Sequence, residues 1–186
     1  PGNMPGLLSG IAGNIFGMKA LKNLRLVDIE FPKKIIKSFK GPKYGIKGVR
    51  KLLKEKKRPL IGTIVKPKLG LNPTEHAKYA YDSWSGGLDL VKSDENLTNQ
   101  SFNKFKTRAE KSVKMMEKVE RETGDRKIYV ENVTAETNEM VKRAKFVEDI
   151  GGNCAMIDVI EAGWSSFQTL RNADLDLVLH VHRAGH

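Results

Sequence analysis

The chain has 186 residues, with 33 Lys and Arg against 22 Asp and Glu, and a formal net charge of +11. This length allows one hydrophobic core or part of a larger domain. No run of 18 apolar residues occurs, so the sequence predicts no membrane span, and the single cysteine, Cys154, excludes an intrachain disulfide and favours a cytoplasmic location.

The N-terminal third is apolar first and strongly basic afterwards. Residues 4–16 are apolar and glycine-rich, and without a basic leader they are interpreted as interior chain. Residues 33–58 hold 12 Lys and Arg and one acid, Glu55. An amphipathic helix is predicted at 46–57, with its apolar face formed by Val49, Leu52 and Leu53. A basic nucleic-acid-binding module is one alternative, but few aromatic residues accompany the charge.

From residue 60 the chain alternates between strand and helix patterns. Strands are predicted at about 60–65, 88–91, 127–131, 154–158 and 175–181. Helices are predicted at about 74–85, 103–123, 136–150 and 165–171. This α/β order predicts parallel strands joined by crossover helices. No Gly-x-Gly-x-x-Gly opens a helix after the first strand, so a dinucleotide-binding fold is not supported.

Ionisable residues follow three of these strands. Lys66 and Lys68 flank a proline after the first, Lys92 precedes two carboxylates after the second, and two histidines share a face of the last, His180 and His182. Mg²⁺ prefers about six oxygen ligands and often takes one or two carboxylates. Asp94 and Glu95 would supply two, and Lys92 would supply a third anionic oxygen if it captured CO₂ as a carbamate. A solvated charged loop is the alternative interpretation.

Four segments carry a resemblance to a known family. Residues 62–70 read GTIVKPKLG, residues 86–96 read GGLDLVKSDEN, and residues 180–184 read HVHRA. Together they resemble the large subunit of ribulose-1,5-bisphosphate carboxylase/oxygenase (Rubisco). The amino-acid sequence between these segments is most similar to the archaeal form III type. Residues 13–21, GNIFGMKAL, resemble the stretch just before the barrel of that family.

The resemblance implies a partial (β/α)8 TIM barrel. A complete barrel needs about 250 residues, so the chain would hold about the first five strands, preceded by the end of an N-terminal α+β domain. The expected division is a pre-barrel segment at 1–58 and the truncated barrel at 59–186. The last three strands and the mobile loop-six lysine would lie outside the chain, and residues 1–186 alone are expected to be inactive.

The resemblance also implies roles for individual residues. Three would be catalytic: Lys66, Lys92 and His182. Lys92 would be carbamylated and would hold Mg²⁺ with Asp94 and Glu95, and the metal would act as a Lewis acid on the substrate. Lys66, with a pKa lowered by the metal and neighbouring cations, would protonate a carbanion late in the cycle. The substrate-binding residues would be Asn14, Lys66, Lys68, His182, Arg183 and His186.

Two departures from the family pattern stand at Ser93, where an aspartate is usual, and at Gly185, where a methionine is common. Asn132 and Asp158 end the third and fourth strands and could be ordinary strand-end residues.

The expected substrates are ribulose 1,5-bisphosphate and CO₂ or O₂, and the complete protein is expected to be a homodimer or a higher homo-oligomer. A Rubisco-like enolase or isomerase without carboxylation is the first alternative, and the basic nucleic-acid-binding module is the second.

Overall fold

The computed structural model describes residues 2–186, in two compact units. The first unit ends at Gly41, and the second runs from Pro42 to His186. The first unit contains α1 (Met4–Ala12) and α2 (Lys33–Ile36). The Asn3 side chain caps α1 by accepting from the Gly6 backbone N–H at 2.9 Å. The segment expected as interior chain is therefore partly helical, and the expected boundary at 58/59 stays a prediction.

Five strands of the second unit form one parallel sheet. They are β1 (Gly62–Ile64), β2 (Leu90–Lys92), β3 (Ile128–Asn132), β4 (Cys154–Asp158) and β5 (Val178–His182). Their spatial order is β1-β2-β3-β4-β5, with every neighbouring pair parallel. Sequential order is the arrangement of a (β/α)8 barrel, whereas a doubly wound sheet places its first strand inside. The predicted parallel α/β architecture is confirmed.

The first helix of the second unit precedes the first strand, and the later helices connect successive strands as the sequence pattern predicted. They are α3 (Gly45–Leu53), α4 (Pro73–Ser85), α5 (Phe105–Thr123), α6 (Thr137–Asp149), α7 (Val159–Ala162) and α8 (Trp164–Asn172). A capping box opens α4, because Asn72 and Glu75 each bond the other's backbone N–H. Gly124 ends α5 with φ of 75°. The single turn α7 was not predicted.

Two predicted elements have different ends in the structure. Helix α3 stops at Leu53 and not at residue 57, because Lys54 adopts a left-handed φ of 56°. Strand β5 begins at Val178 and not at residue 175. Just before it, the carbonyls of Asp174 and Leu175 accept from Lys43 Nζ at 3.1 and 3.0 Å, so a side chain binds them in place of a strand.

The sheet has two apolar faces with different covers. On one face Val91 and Tyr129 pack with Trp84 of α4 and Val113 and Met116 of α5. On the other face the apolar side of α3 packs against a cluster of strand residues: Leu90, Ile128, Val130, Cys154, Met156 and Val178. Successive strand residues point to opposite faces. Lys92 therefore shares the α3-covered face with Leu90, two residues further toward the carboxyl end.

None of the helices within residues 2–186 combines the length and the apolar content needed to cross a bilayer.

Candidate active site

The carboxyl ends of β1 and β2 are joined by an ion pair. The backbone N–H of Val65 donates to the carbonyl of Lys92 at 3.0 Å, which brings the next residue, Lys66, over the end of β2. Its ammonium forms a short ion pair with the fully buried Asp94, and half of the Lys66 side chain stays exposed. This hydrogen bond raises the pKa of Lys66. The expected lowering of this pKa depended on the metal and on neighbouring cations, whereas here a carboxylate is the nearest charge.

Lys92 is a nearly buried amine surrounded by acceptors. The residue is 6% exposed. Its Nζ donates to the Ser93 carbonyl at 2.9 Å and to Glu95 Oε2 at 2.9 Å, and it lies 3.4 Å from Met156 Sδ. Burial raises the pKa of Glu95, but the hydrogen bond from Lys92 outweighs it together with the other favourable contacts, and the pKa falls to about 2. The amine therefore stands directly beside one of the predicted metal ligands.

His182 of β5 joins the same group. Its Nε2 lies 4.0 Å from Glu95 Oε2, and its Nδ1 lies 3.2 Å from Asp158 Oδ1. The Ala184 backbone N–H also donates to Nδ1 at 3.1 Å. One ring nitrogen cannot donate to a carboxylate and accept from an amide at the same time, so the position of the proton decides its partner. Burial raises the pKa of Asp158.

Asn132, at the end of β3, is the centre of the cluster. Its Nδ2 donates to the carbonyls of Asp94 and Glu95 at 3.2 and 3.0 Å, and lies 3.4 Å from Asp158 Oδ2. Asp158 also accepts from the Thr134 hydroxyl at 3.1 Å. Sequence reasoning left Asn132 and Asp158 as possible ordinary strand-end residues. The structure places Asn132 within hydrogen-bond distance of the predicted ligand segment. Asp158 instead contacts Asn132, Thr134 and His182.

The other predicted substrate-binding residues are more exposed. Lys68 donates to Asn96 Oδ1 at 2.9 Å, next to the ligand pair. Arg183 and His186 lie in an exposed turn, where the His186 backbone N–H donates to the Arg183 carbonyl at 3.2 Å. Asn14 belongs to the first unit, and its role stays a prediction.

The two departures have different surroundings. Gly185 adopts a φ of 85°, and a Cβ there would come within 2.9 Å of Glu161 Oε1. Glycine therefore suits this turn better than a side chain does. Ser93 is fully buried, and its hydroxyl has no hydrogen-bond partner within residues 2–186. Its carbonyl holds the Lys92 amine.

The donor set fits Mg²⁺ if Lys92 contributes an oxygen. Asp94 and Glu95 are adjacent carboxylates, and each is already held by an ammonium group, so the site attracts positive charge. Across the part of the chain that the structure describes, no three His, Cys, Asp or Glu side chains group as a metal site. A carbamate on Lys92 would supply the missing third oxygen and would replace an ammonium with an anion.

A buried ion pair behind this cluster was missed by sequence reasoning. Arg108 of α5 donates to Glu131 of β3, at 2.8 Å between Nη2 and Oε1, and neither side chain has exposed surface. The sequence did carry a signal. Arg108 occurs three residues after the apolar Phe105, on the same helix face, and Glu131 interrupts an apolar strand. A charged residue on each of two buried faces indicates a buried pair.

Comparisons with known proteins agree with this geometry. Residues 45–186 match the family described as Ribulose bisphosphate carboxylase large chain, catalytic domain, and residues 1–35 match its N-terminal domain. A ribulose bisphosphate carboxylase of Methanocaldococcus jannaschii is 56% identical over 99% of this chain. The chain spans only 43% of the length of that relative.

Solved structures give the same result. The octameric Rubisco of Pyrococcus horikoshii OT3, in complex with sulfate ion, matches with a TM-score of 0.95 and 47% identity, over 99% of this chain and 44% of that chain. A rubisco-like protein from Burkholderia fungorum matches with a TM-score of 0.94 but 32% identity, over 98% of this chain and 45% of that chain. The five-stranded sheet is therefore part of a (β/α)8 barrel of the kind found in these proteins.

Proposed function

The chain belongs to the ribulose bisphosphate carboxylase large-chain family, and we propose that it forms part of a carboxylase acting on ribulose 1,5-bisphosphate. The reaction would join CO₂ and water to the bisphosphate and cleave the product into two 3-phosphoglycerates. The observation that carries the proposal is that five side chains converge at the carboxyl ends of the strands: Lys66, Lys92, Asp94, Glu95 and His182.

Activation would begin at Lys92. Its neutral amine would add to CO₂, and one proton would leave to solvent, giving a carbamate. The carbamate, Asp94 and Glu95 would then hold Mg²⁺, which supplies Lewis-acid stabilisation for negative charge on the substrate. Two observations support this set of metal ligands. Lys92 Nζ lies 2.9 Å from Glu95 Oε2, and all three residues belong to one short segment.

The remaining groups would bind substrate or move protons. The carbamate would accept a proton from the sugar carbon C3, and Lys66 would return a proton to the carbanion formed after cleavage. Half of the Lys66 side chain is exposed at the sheet edge, as a group that meets a ligand should be. His182 would bind a substrate hydroxyl, and Arg183 a phosphate, since a guanidinium binds phosphate through two hydrogen bonds. Lys68, His186 and Asn14 would complete the contacts.

The complete protein would be a homo-oligomer with O₂ as a competing substrate. The octameric state of the Pyrococcus horikoshii structure supports the oligomer. An archaeal form III type is supported by the 56% identity with the Methanocaldococcus jannaschii relative. The expected boundary between a pre-barrel segment at 1–58 and barrel residues at 59–186 is part of this proposal.

The test measures thermal unfolding with Mg²⁺, bicarbonate, or both. It uses a full-length context, meaning a longer polypeptide that contains residues 1–186 or a chimera in which they replace the aligned part of the Methanocaldococcus jannaschii relative. Both ligands together should raise the melting temperature more than the separate effects combined, because binding to the folded state stabilises it by mass action. Lys92→Ala should abolish that synergy.

Lys127→Ala is the matched control, because Lys127 is a second buried lysine. It lies just before β3, at the amino ends of the strands. The variant should keep the synergy even if it lowers the melting temperature. Equal synergy in Lys92→Ala and wild type would rule out the carbamate assignment.

The two alternatives have less support. The rubisco-like protein is 32% identical to this chain, against 56% for the carboxylase relative. In the basic stretch, Lys43 and Arg58 are paired with Asp176 and Asp89, and the apolar face of α3 packs on the sheet. These pairs reduce the positive charge that a nucleic acid would meet.

A further inference from the structure

The Arg108–Glu131 pair is fully buried and holds more than itself. Arg108 Nε lies 3.1 and 3.3 Å from the two Glu131 oxygens, and Nη2 lies 2.8 Å from Oε1. Replacing a buried ion pair with apolar side chains is often neutral or stabilising, so stability alone does not explain why a fold keeps one. The other contacts of the two side chains indicate a more specific use.

Arg108 also binds the loop that follows the ligand pair. Its Nη2 donates to the carbonyls of Leu97 and Thr98 at 3.1 and 3.2 Å, and its Nη1 donates to the carbonyl of Asn103 at 3.0 Å. The first of these carbonyls lies two residues after Glu95. A single guanidinium therefore holds both ends of the loop that leaves the proposed metal site.

Glu131 acts on the other side of the same segment. Its Oε1 accepts from the Asn132 backbone N–H at 2.9 Å, and its Oε2 accepts from the Tyr129 hydroxyl at 2.8 Å. Asn132 in turn donates to the carbonyls of Asp94 and Glu95. The pair thus reaches the ligand backbone through Asn132 and the residues after it through Arg108.

We propose that Arg108 and Glu131 are positioning residues, which hold the backbone of residues 94–98 so that Glu95 faces the Lys92 amine and Asp94 faces Lys66. Neither side chain touches substrate or metal in this arrangement. The inference rests on the proposed function. It states that the pair increases the affinity of the site for Mg²⁺ and does not change its affinity for the bisphosphate. Groups behind metal ligands typically change metal affinity by about 10- to 100-fold when they are altered.

Arg108→Lys separates the ion pair from the loop contacts. A lysine keeps a positive charge for Glu131, but its compact ammonium cannot replace a planar group with five donors. In the full-length context, the Mg²⁺ concentration that gives half-maximal activation at fixed bicarbonate should rise about 10-fold or more. The KM for the bisphosphate, measured at saturating Mg²⁺ and bicarbonate, should change less than about twofold.

Arg58→Lys is the matched control. Arg58 binds Asp89 through two hydrogen bonds of 2.7 and 2.5 Å. Asp89 lies just before β2, at the amino ends of the strands. The same substitution there should leave the half-activating Mg²⁺ concentration unchanged. Glu131→Gln provides a second variant if Arg108→Lys does not fold. It keeps a side-chain oxygen for Asn132, and it should raise the half-activating concentration by less.

The outcomes separate this inference from the proposed function. If wild type shows Mg²⁺ and bicarbonate synergy but Arg108→Lys and Glu131→Gln keep its half-activating concentration, the positioning role is wrong and the proposed function stands. If both arginine variants weaken Mg²⁺ activation equally, the effect is general destabilisation and the inference is again wrong. Absence of synergy in the wild type would overturn both.

Discussion

At the amino ends of the strands Arg58 binds Asp89 through two hydrogen bonds, whereas at the carboxyl ends Lys66 and Lys92 each hold one carboxylate through a single contact. The Ile61 backbone N–H donates to Asp89 as well, at 2.8 Å, so Asp89 is well satisfied. Arg58 lowers the pKa of Asp89, and Lys92 lowers that of Glu95, so ion pairing has the same electrostatic effect at both ends.

The difference lies in what the pairs leave available. A guanidinium bound through two hydrogen bonds is fixed in its geometry, and α3 packs on the adjoining apolar face. A single ammonium contact is less constrained in its geometry and can be exchanged for a metal ion or a substrate group. The comparison supports the proposal that the amino ends serve stability and the carboxyl ends serve chemistry, as is usual for barrels of this type.

The largest expected effect concerns residues 1–186 tested alone. We expect no carboxylation, because the carboxyl ends carry the proposed chemistry with little cover: His180, Val181 and Arg183 are exposed. The edges of β1 and β5 also have unpaired backbone groups in the described sheet, which favours aggregation. The measurement is incorporation of radiolabelled CO₂ into phosphoglycerate by the purified chain. Product above background, with no other protein present, would contradict the expectation.

Lys66→Ala in the full-length context should have the next largest effect. Turnover should fall about 10²- to 10⁴-fold, the usual contribution of a proton-transfer group. The affinity for a bisphosphate should persist, because Lys66 is proposed to move a proton and not to anchor the ligand. Steady-state kinetics and calorimetric titration with a bisphosphate would measure the two effects.

Asp89→Asn is the control for that variant at the amino ends. It should lower the melting temperature, because Arg58 loses its ionic partner, and leave turnover within about twofold of wild type. Wild-type turnover in Lys66→Ala would make Lys66 an ordinary surface residue. A large loss of turnover in Asp89→Asn would remove the proposed division between the two ends.

The smallest expected effect is a pH dependence from His76. Burial and the charge of Arg108 hold its pKa at about 3, below the usual 6.5, and its Nε2 lies 3.1 Å from the Tyr129 hydroxyl. Between these values the unfolded chain binds a proton that the folded chain does not. Stability from His76 is therefore present above pH 6.5 and is lost as the pH falls toward 3.

His76→Gln should make unfolding less sensitive to acid, since glutamine can still donate to Tyr129 but cannot titrate. In the full-length context, lowering the pH from about 6.5 to 5 should cost the wild type on the order of 1–2 kcal/mol more than the variant. Urea unfolding at several pH values measures the difference. Parallel pH profiles for the two proteins would show that folding does not lower the pKa of His76.

Much of the candidate site could be predicted from the chain, because its residues follow strands. Lys66, Lys92 and His182 each end or follow a predicted strand, and parallel strands bring their carboxyl ends to one edge. Asn132 and Asp158 follow the same rule, yet strand-end position alone could not separate them from ordinary polar residues. Their importance appeared only with the contacts of Asn132 to the ligand segment and of Asp158 to Asn132 and His182.

By itself, the sequence determined the α/β order, the apolar face of α3 and the segment that carries Lys92, Asp94 and Glu95, because periodicity and spacing are local properties of the chain. Only the tertiary structure decided which charges meet. Lys66 pairs with Asp94 across 28 positions, and Arg108 pairs with Glu131 across 23. Such pairs depend on which strand ends and helix faces become neighbours. The order of strands in the parallel sheet determines those neighbours, and it forms only when the unit folds.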